Sequence, residues 1–227
     1  MFDPGFWGLL INPYYFSRRE LARHVKEMGR HITGRTLDIG CGSKPYEKFC
    51  NSTAYIGLEL PPGKGETHKY ADCYFDGYTL PFNDSTFDSI MLNQVLEHVF
   101  RPDMFLNEVN RVLKPCGKLL VTVPFVWDEH ETPHDYARYT SFGLVSLLGR
   151  HGFDILDHRK TNSNIRLICQ LFSNYLYKTV KTPYASVNLM IRLVLIAPVN
   201  ITGVILGMLT PANDDLFLDN IILATRG

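Results

Sequence analysis

The segment that constrains this chain most is TLDIGCG at 36–42, together with Glu59, which ends the next apolar run, YIGLEL at 55–60. Thr36 to Ile39 reads as a buried strand, and Gly40 and Gly42 punctuate its exit. A strand that runs into glycines lets backbone N–H groups approach a ligand closely, because no Cβ stands in the way. A carboxylate about 20 residues further on, at the tip of the second strand, is placed to accept hydrogen bonds from ribose hydroxyls. The pair predicts a nucleoside-bearing cofactor at the carboxyl edge of a parallel sheet. The bland alternative is a strand and a glycine turn that bind nothing.

A dinucleotide site needs glycines spaced G-x-G-x-x-G, the last for close helix packing. Here Gly40-Cys41-Gly42 is followed by Ser43-Lys44-Pro45, so a pyrophosphate site is poorly supported. The segment resembles motif I of class I S-adenosylmethionine (SAM) methyltransferases, D-x-G-x-G-x-G, whose glycine loop lies under a methionine moiety. Asp38, Gly40 and Gly42 match, Cys41 fits the small position between the glycines, and Lys44 replaces the last glycine.

The resemblance extends downstream. Phe87 to Leu92 is an apolar run of the kind a buried parallel strand shows. Asp76, with Gly77 beside it and Leu80-Pro81-Phe82 after it, fits the D-x-x-x-L-P-F segment that in the family offers a carboxylate to the adenine amine. Asp72 is the rival for that role, and Leu58, Leu60 or Tyr78 would lie near the ring. Phe105, Leu106, Val109, Val112 and Leu113 recur at helical spacing until Pro115 and Gly117 stop the helix, and Lys118–Val123 reads as a strand. RVLKPCGKLLVTVP is similar to the R-V-L-K-P-G-G-x-L tract of type 11-like methyltransferases. These motifs together span roughly residues 35–125.

Two segments are candidates for chemistry. Glu97-His98 resembles the L-E-H-V tract of ubiquinone-pathway O-methyltransferases, where a glutamate three residues earlier helps hold a metal. Gln94 stands there in this chain, so no metal is expected; His98 would order the loop and touch the cofactor, and Asn93 is the more direct SAM contact. The second segment, PFVWDEHETPHDYARYT at 124–140, follows the fifth strand, where loops carry the site in this architecture. It resembles a P-H-D-x-x-R-Y-T loop found in a bacterial branch of these enzymes. His134 is the expected base, with Asp135 orienting it or Arg138 binding an anionic group of the acceptor; His130 is the alternative base. The competing reading makes these residues caps for a helix that starts near Thr140-Ser141-Phe142-Gly143.

The 227 residues suffice for one sizeable α/β domain. Lys plus Arg and Asp plus Glu number 23 each, so no basic excess points to nucleic acid. Five cysteines without paired spacing form neither a disulfide framework nor a zinc pattern, and a cytoplasmic setting follows. The N-terminus does not read as a secretory signal, and residues 14–30 read as an amphipathic helix with a basic face.

GFDILDHRKT (152–161) reads as the sixth strand and DNIILATR (219–226) as the seventh, antiparallel by resemblance. Residues 165–214 between them are an apolar insertion, and Leu193 to Asn213 carry no charge, close to the ~20 residues that span a bilayer. Both ends must return to one sheet, which excludes a single crossing, and Pro198, Asn200 and Gly203 are expected to break the run into two halves. The options are peripheral contact with the inner face of the membrane through 184–210, a homodimer interface, or a lid over the acceptor pocket.

The expectation is therefore one Rossmann-like α/β domain over 1–227: a mainly parallel seven-stranded sheet with an antiparallel last strand, helices on both faces, a helical cap at 1–33, and the 165–214 insertion. The resemblance implies SAM as cofactor and a hydroxyl acceptor on a small-molecule, saccharide or lipid-linked substrate. An NAD-dependent oxidoreductase and a non-catalytic scaffold of the same fold are the alternatives.

Overall fold

Leu37, Ile39, Ile90, Leu92, Leu119, Val121 and Val123 have no solvent contact. They share one face of three adjacent strands, and the residues between them, Asp38, Met91, Leu120 and Thr122, are buried on the other face, so the sheet is covered on both sides, as parallel strands require. The computed structural model describes residues 2–63 and 69–227. The strands are β1 (Thr33–Ile39), β2 (Asn51–Glu59), β3 (Cys73–Tyr74), β4 (Phe87–Asn93), β5 (Leu113–Pro124), β6 (Phe153–Lys160) and β7 (Asp219–Arg226), in the order β3-β2-β1-β4-β5-β7-β6. β1 pairs in parallel with β2 and β4, β2 with β3, and β4 with β5. β7 is antiparallel: Asp219 faces Thr161 at one end, and Gly227 donates to the Gly152 carbonyl at the other.

The helices are α1 (Phe6–Ile11), α2 (Tyr15–Met28), α3 (Pro102–Val112), α4 (Ser141–Arg150), α5 (Ile165–Val180), α6 (Ala185–Ile191) and α7 (Ala197–Leu209). α3 opens with Pro102 in its first turn, where the missing N–H costs nothing. Its apolar stripe, Phe105, Leu106, Val109 and Val112, joins Leu144, Leu147 and Leu148 of α4 in one core with the strands. Thr140 caps α4 by accepting from the Gly143 N–H, as its sequence position suggests. β5 begins at Leu113, earlier than the proline and glycine imply. Its pairing with β4 slips between Phe87–Leu113 and Ser89–Lys118, so residues 114–117 are looped out and Cys116 takes a φ of 60°.

By contacts the chain divides into two compact units. One contains Met1–Arg23 and Lys160–Asp219, the other His24–Arg159 and Asn220–Gly227. Within the first, buried amides tie the apolar helices to the N-terminal segment. Gln170 accepts from the N–H groups of Phe16 and Ser17 and donates to the Pro13 carbonyl, while Asn200 donates to the carbonyls of Leu9 and Asn12. Gly203 permits close approach, since a Cβ there would stand 2.7 Å from Phe16 Cζ.

The apolar run is not broken in two. α6, a π-helical turn at Arg192–Ile196 and α7 form one continuous 25-residue helix. Pro198 falls within the first two positions of α7, directly after the π turn, where the altered hydrogen-bond pattern accommodates a residue that has no N–H.

Candidate functional site

β1 ends in a turn that only glycine makes cheaply. Gly40 has φ 67° and Gly42 φ 51°, in the left-handed region that strains other L-residues. A Cβ on Gly40 would lie 2.5 Å from Val95 Cγ2, whereas one on Gly42 would meet nothing within 4 Å. Gly40 is thus fixed by packing, and Gly42 faces open space.

That space is a cavity of about 660 Å³ in the second unit. Gly40, Gly42 and Glu59 line it, as do Asp76, Gly77, Tyr78, Gln94, His98 and His134. Glu59 Oε2 accepts from the Gly42 N–H at 3.2 Å, which couples the tip of β2 to the glycine turn. Asp76 Oδ1 accepts from the N–H groups of Tyr78 and Thr79, both at 2.8 Å, and these bonds hold its carboxyl below the usual range. The rival Asp72 is engaged elsewhere, with Lys44 Nζ and the Gly57 N–H, and does not line the cavity. Lys44, which stands where the motif has its last glycine, adopts φ 51° and its side chain passes Gly57 of β2 to reach Asp72.

Asp38, Cys41 and Asn93 lie behind the wall. Asp38 is 4% exposed and accepts from the Tyr55 hydroxyl at 2.9 Å; burial pushes its pKa up to about 7. Burial likewise raises the Cys41 thiol to about 12, so it is no thiolate nucleophile. Asn93 Oδ1 accepts from the Thr122 hydroxyl.

On the opposite wall, His98 Nδ1 lies 2.8 Å from the His134 carbonyl oxygen. A carbonyl only accepts, so this nitrogen carries the proton and leaves the lone pair on Nε2. His98 Nε2 stands 3.9 Å from both Glu97 Oε1 and Glu131 Oε2. His134 Nδ1 pairs with the Tyr136 hydroxyl at 3.0 Å. Asp135 does not orient His134. Its two oxygens hold Arg138 at 2.6 and 2.7 Å, it also accepts from the His130 N–H, and Arg138 keeps its carboxyl well below the usual range. Arg138 in turn donates to the carbonyls of Ala137 and Asp128, so its donors go to the loop rather than to an anionic acceptor group.

Glu97, His98 and His130 bring one donor atom each within 4.8 Å of one another, a set able to hold a metal ion. The side-chain amide of Gln94 donates to the Thr122 hydroxyl.

Sequence reasoning missed Val95, Phe100, Arg101, Met104 and Glu131 in the wall. Most follow the carboxyl end of β4, where Gln94 turns into the left-handed region. The rule that ligands lie beyond the carboxyl ends of parallel strands points to this loop as much as to the one after β1.

Residues 37–121 match a family model described as Methyltransferase domain. O-methyltransferase cnsE of Penicillium expansum is 32% identical over 176 residues, covering 63% of this chain and 59% of that protein. The chain spans half or less of the first curated relatives it matches, 49% and 36% of their lengths. The [4+2]-cyclase SpnF superposes with a TM-score of 0.58 at 22% identity, over 91% of this chain and 79% of that one. Phosphoethanolamine N-methyltransferase 2 of Haemonchus contortus, solved with S-adenosyl-L-methionine, gives 0.57 at 17% identity, over 91% and 52%. Residues 37–121 thus match a methyltransferase domain, and the whole chain has the Rossmann-like fold that methyltransferases share.

Proposed function

We propose that this protein moves the methyl group of SAM to a hydroxyl of a small-molecule, saccharide or lipid-linked acceptor. The observation that carries the reading is one cavity whose walls hold Gly40, Gly42, Glu59 and Asp76 together with His98 and His134. The glycine turn receives the amino-acid end of the cofactor, Glu59 the ribose hydroxyls and Asp76 the adenine amine. Space above Gly42 fits such a ligand, because a side chain there would occupy it. When bound, SAM supplies an electrophilic methyl on a sulfonium. The residues then need only align the acceptor, exclude water and take a proton.

His98 is the better base in this reading, since its bond to the His134 carbonyl leaves Nε2 free to accept a proton. His134 and Tyr136 shape the acceptor mouth, and Asp135 acts as a positioning residue by holding Arg138 within the loop. The likeness to an O-methyltransferase supports oxygen as the methylated atom.

The dinucleotide alternative loses a structural requirement. Between β1 and β2 the chain forms a three-residue 3-10 turn, Glu47–Phe49, and no α-helix offers its N-terminus to a pyrophosphate. The SpnF likeness lends the non-catalytic alternative nothing, since a cyclase is itself a catalyst; it says only that this fold also serves chemistry other than methyl transfer.

The test is methyl-labelled SAM incubated with the protein and fractionated cell extract. Label should enter one acceptor fraction, and His98→Gln should lower that turnover about 100-fold or more, with SAM affinity changed less than about threefold. No label in any fraction would sink methyl transfer, and full turnover by His98→Gln would sink the assignment of the base.

A further inference from the structure

The first unit leaves a long apolar surface bare. The continuous helix from Ala185 to Leu209 is apolar and long enough to cross a membrane by composition and length, yet only 22% of its most apolar window is buried. Its inner side is used: Ile196, Ala197, Asn200 and Gly203 are buried within the unit. Its outer side carries Val187, Met190, Val194, Ile201, Ile205 and Met208, spaced 3, 4, 7, 4 and 3 residues apart, the recurrence of one helical face. All six are exposed, Val194 by 59% and Met208 by 70%. Isolated apolar side chains on a surface need no explanation, but a contiguous stripe of this length marks a contact.

The charges around the stripe are one-sided. The helices from Ile165 to Leu209 carry Arg166, Lys178, Lys181 and Arg192 and no aspartate or glutamate; Arg192 donates to the Tyr177 hydroxyl, while Lys178 and Lys181 are exposed, and Asp214 and Asp215 follow beyond the last helix. Exposed aromatic residues accompany them: Trp7 on α1, which packs against α7, Tyr175 on α5, and Tyr184 at the hairpin turn. Aromatic rings and basic side chains beside an apolar stripe suit the boundary between lipid headgroups and acyl chains.

We infer that this face is a docking surface for an anionic lipid bilayer, lying in the plane of the interface rather than crossing it. The ends of the helical segment are stitched together. Leu218 donates to the Thr161 carbonyl, Thr161 to the Asp219 carbonyl and Asn213 to the Ser163 carbonyl, so the chain leaves and returns at one place. The inner face is closed by the backbone bonds of Gln170 and Asn200, which leaves a single side for lipid. A second copy is the weaker occupant. A two-fold interface would set this face against itself, so that the exposed Lys178 and Lys181 of the two copies would approach one another. Lipid phosphates attract such a basic rim, as juxtamembrane basic segments are drawn to anionic surfaces. The inference stands apart from the methyl-transfer reading, since no residue of the cavity enters it.

The test is flotation of the whole protein with vesicles of phosphatidylcholine containing about one-third phosphatidylglycerol. The protein should float with these vesicles and less with phosphatidylcholine alone. Val194→Asp/Ile205→Asp should reduce the bound fraction about tenfold, and so should Lys178→Glu/Lys181→Glu, which alters only the charged rim. SAM titration reports separately whether each variant keeps a working second unit. Wild-type protein that stays at the bottom of the gradient overturns the inference, as does full flotation of either variant. A dimer in solution that Val194→Asp/Ile205→Asp splits assigns the stripe to a second copy and overturns it too.

Discussion

Replacing Gly40 with alanine should cost about 3 kcal/mol of stability, and replacing Gly42 should cost about 1 kcal/mol while damaging ligand binding more. Both residues have positive φ, so each substitution pays the left-handed penalty of about 1–2 kcal/mol. Only the Gly40 methyl also strikes a neighbour, Val95 Cγ2 at 2.5 Å, and overpacking of that kind adds about 1–3 kcal/mol. In a chain of this size the Gly40 variant should melt roughly 6–12 °C lower. The Gly42 methyl meets open cavity, so its effect belongs to SAM affinity, with a weakening of about tenfold or more. Thermal unfolding and SAM titration of both variants check this. Equal melting points for the two would contradict the packing argument.

The second large effect is a pH dependence. The folded protein holds the Asp38 carboxyl at a pKa of about 7 because the group is buried, against an ordinary 3.8. Glu59 and Glu47 add to the rise, while the Tyr55 hydroxyl and Lys44 oppose it. Between these two values the folded state keeps a proton that the unfolded chain has lost. Asp38 therefore makes stability fall as pH rises from about 4 to 7, with the penalty constant above that window. Three pKa units correspond to about 4 kcal/mol. Asp38→Asn carries no titrating proton and still offers an oxygen to the Tyr55 hydroxyl. Its melting point should match wild type near pH 4 and exceed it by about 8–16 °C near pH 8. A wild-type minus Asp38→Asn difference that stays flat across the window would show that the buried carboxyl is not the source.

The architecture was legible because buried parallel strands leave an unambiguous mark. LDI at 37–39, the run 87–92 and the stretch 118–123 are short, mainly apolar segments, and each became a neighbouring central strand. Gly40 and Gly42 were legible for a related reason, since turns that demand positive φ restrict residue type more than any contact does. Side-chain partnerships were not. Asp135 and Arg138 sit three residues apart in a loop, and nothing in that spacing says that they bond each other rather than His134 and an acceptor. Asp72 and Asp76 are equally plausible on paper. Lys44, 28 residues before Asp72, separates their roles only once the chain is folded. The apolar helix was misread at Pro198 because a single proline usually interrupts a helix, and the π turn that accommodates it has no sequence signature.

The central claim is that the carboxylate at the tip of β2 grips the ribose of SAM above the glycine turn. Calorimetric titration of SAM into wild-type and Glu59→Ala protein tests it most directly. Loss of a charge-assisted hydrogen bond of about 1.5–3 kcal/mol predicts affinity weakened by roughly 10- to 100-fold in the variant. Undiminished SAM affinity in Glu59→Ala, with the fold intact by thermal unfolding, would contradict the account.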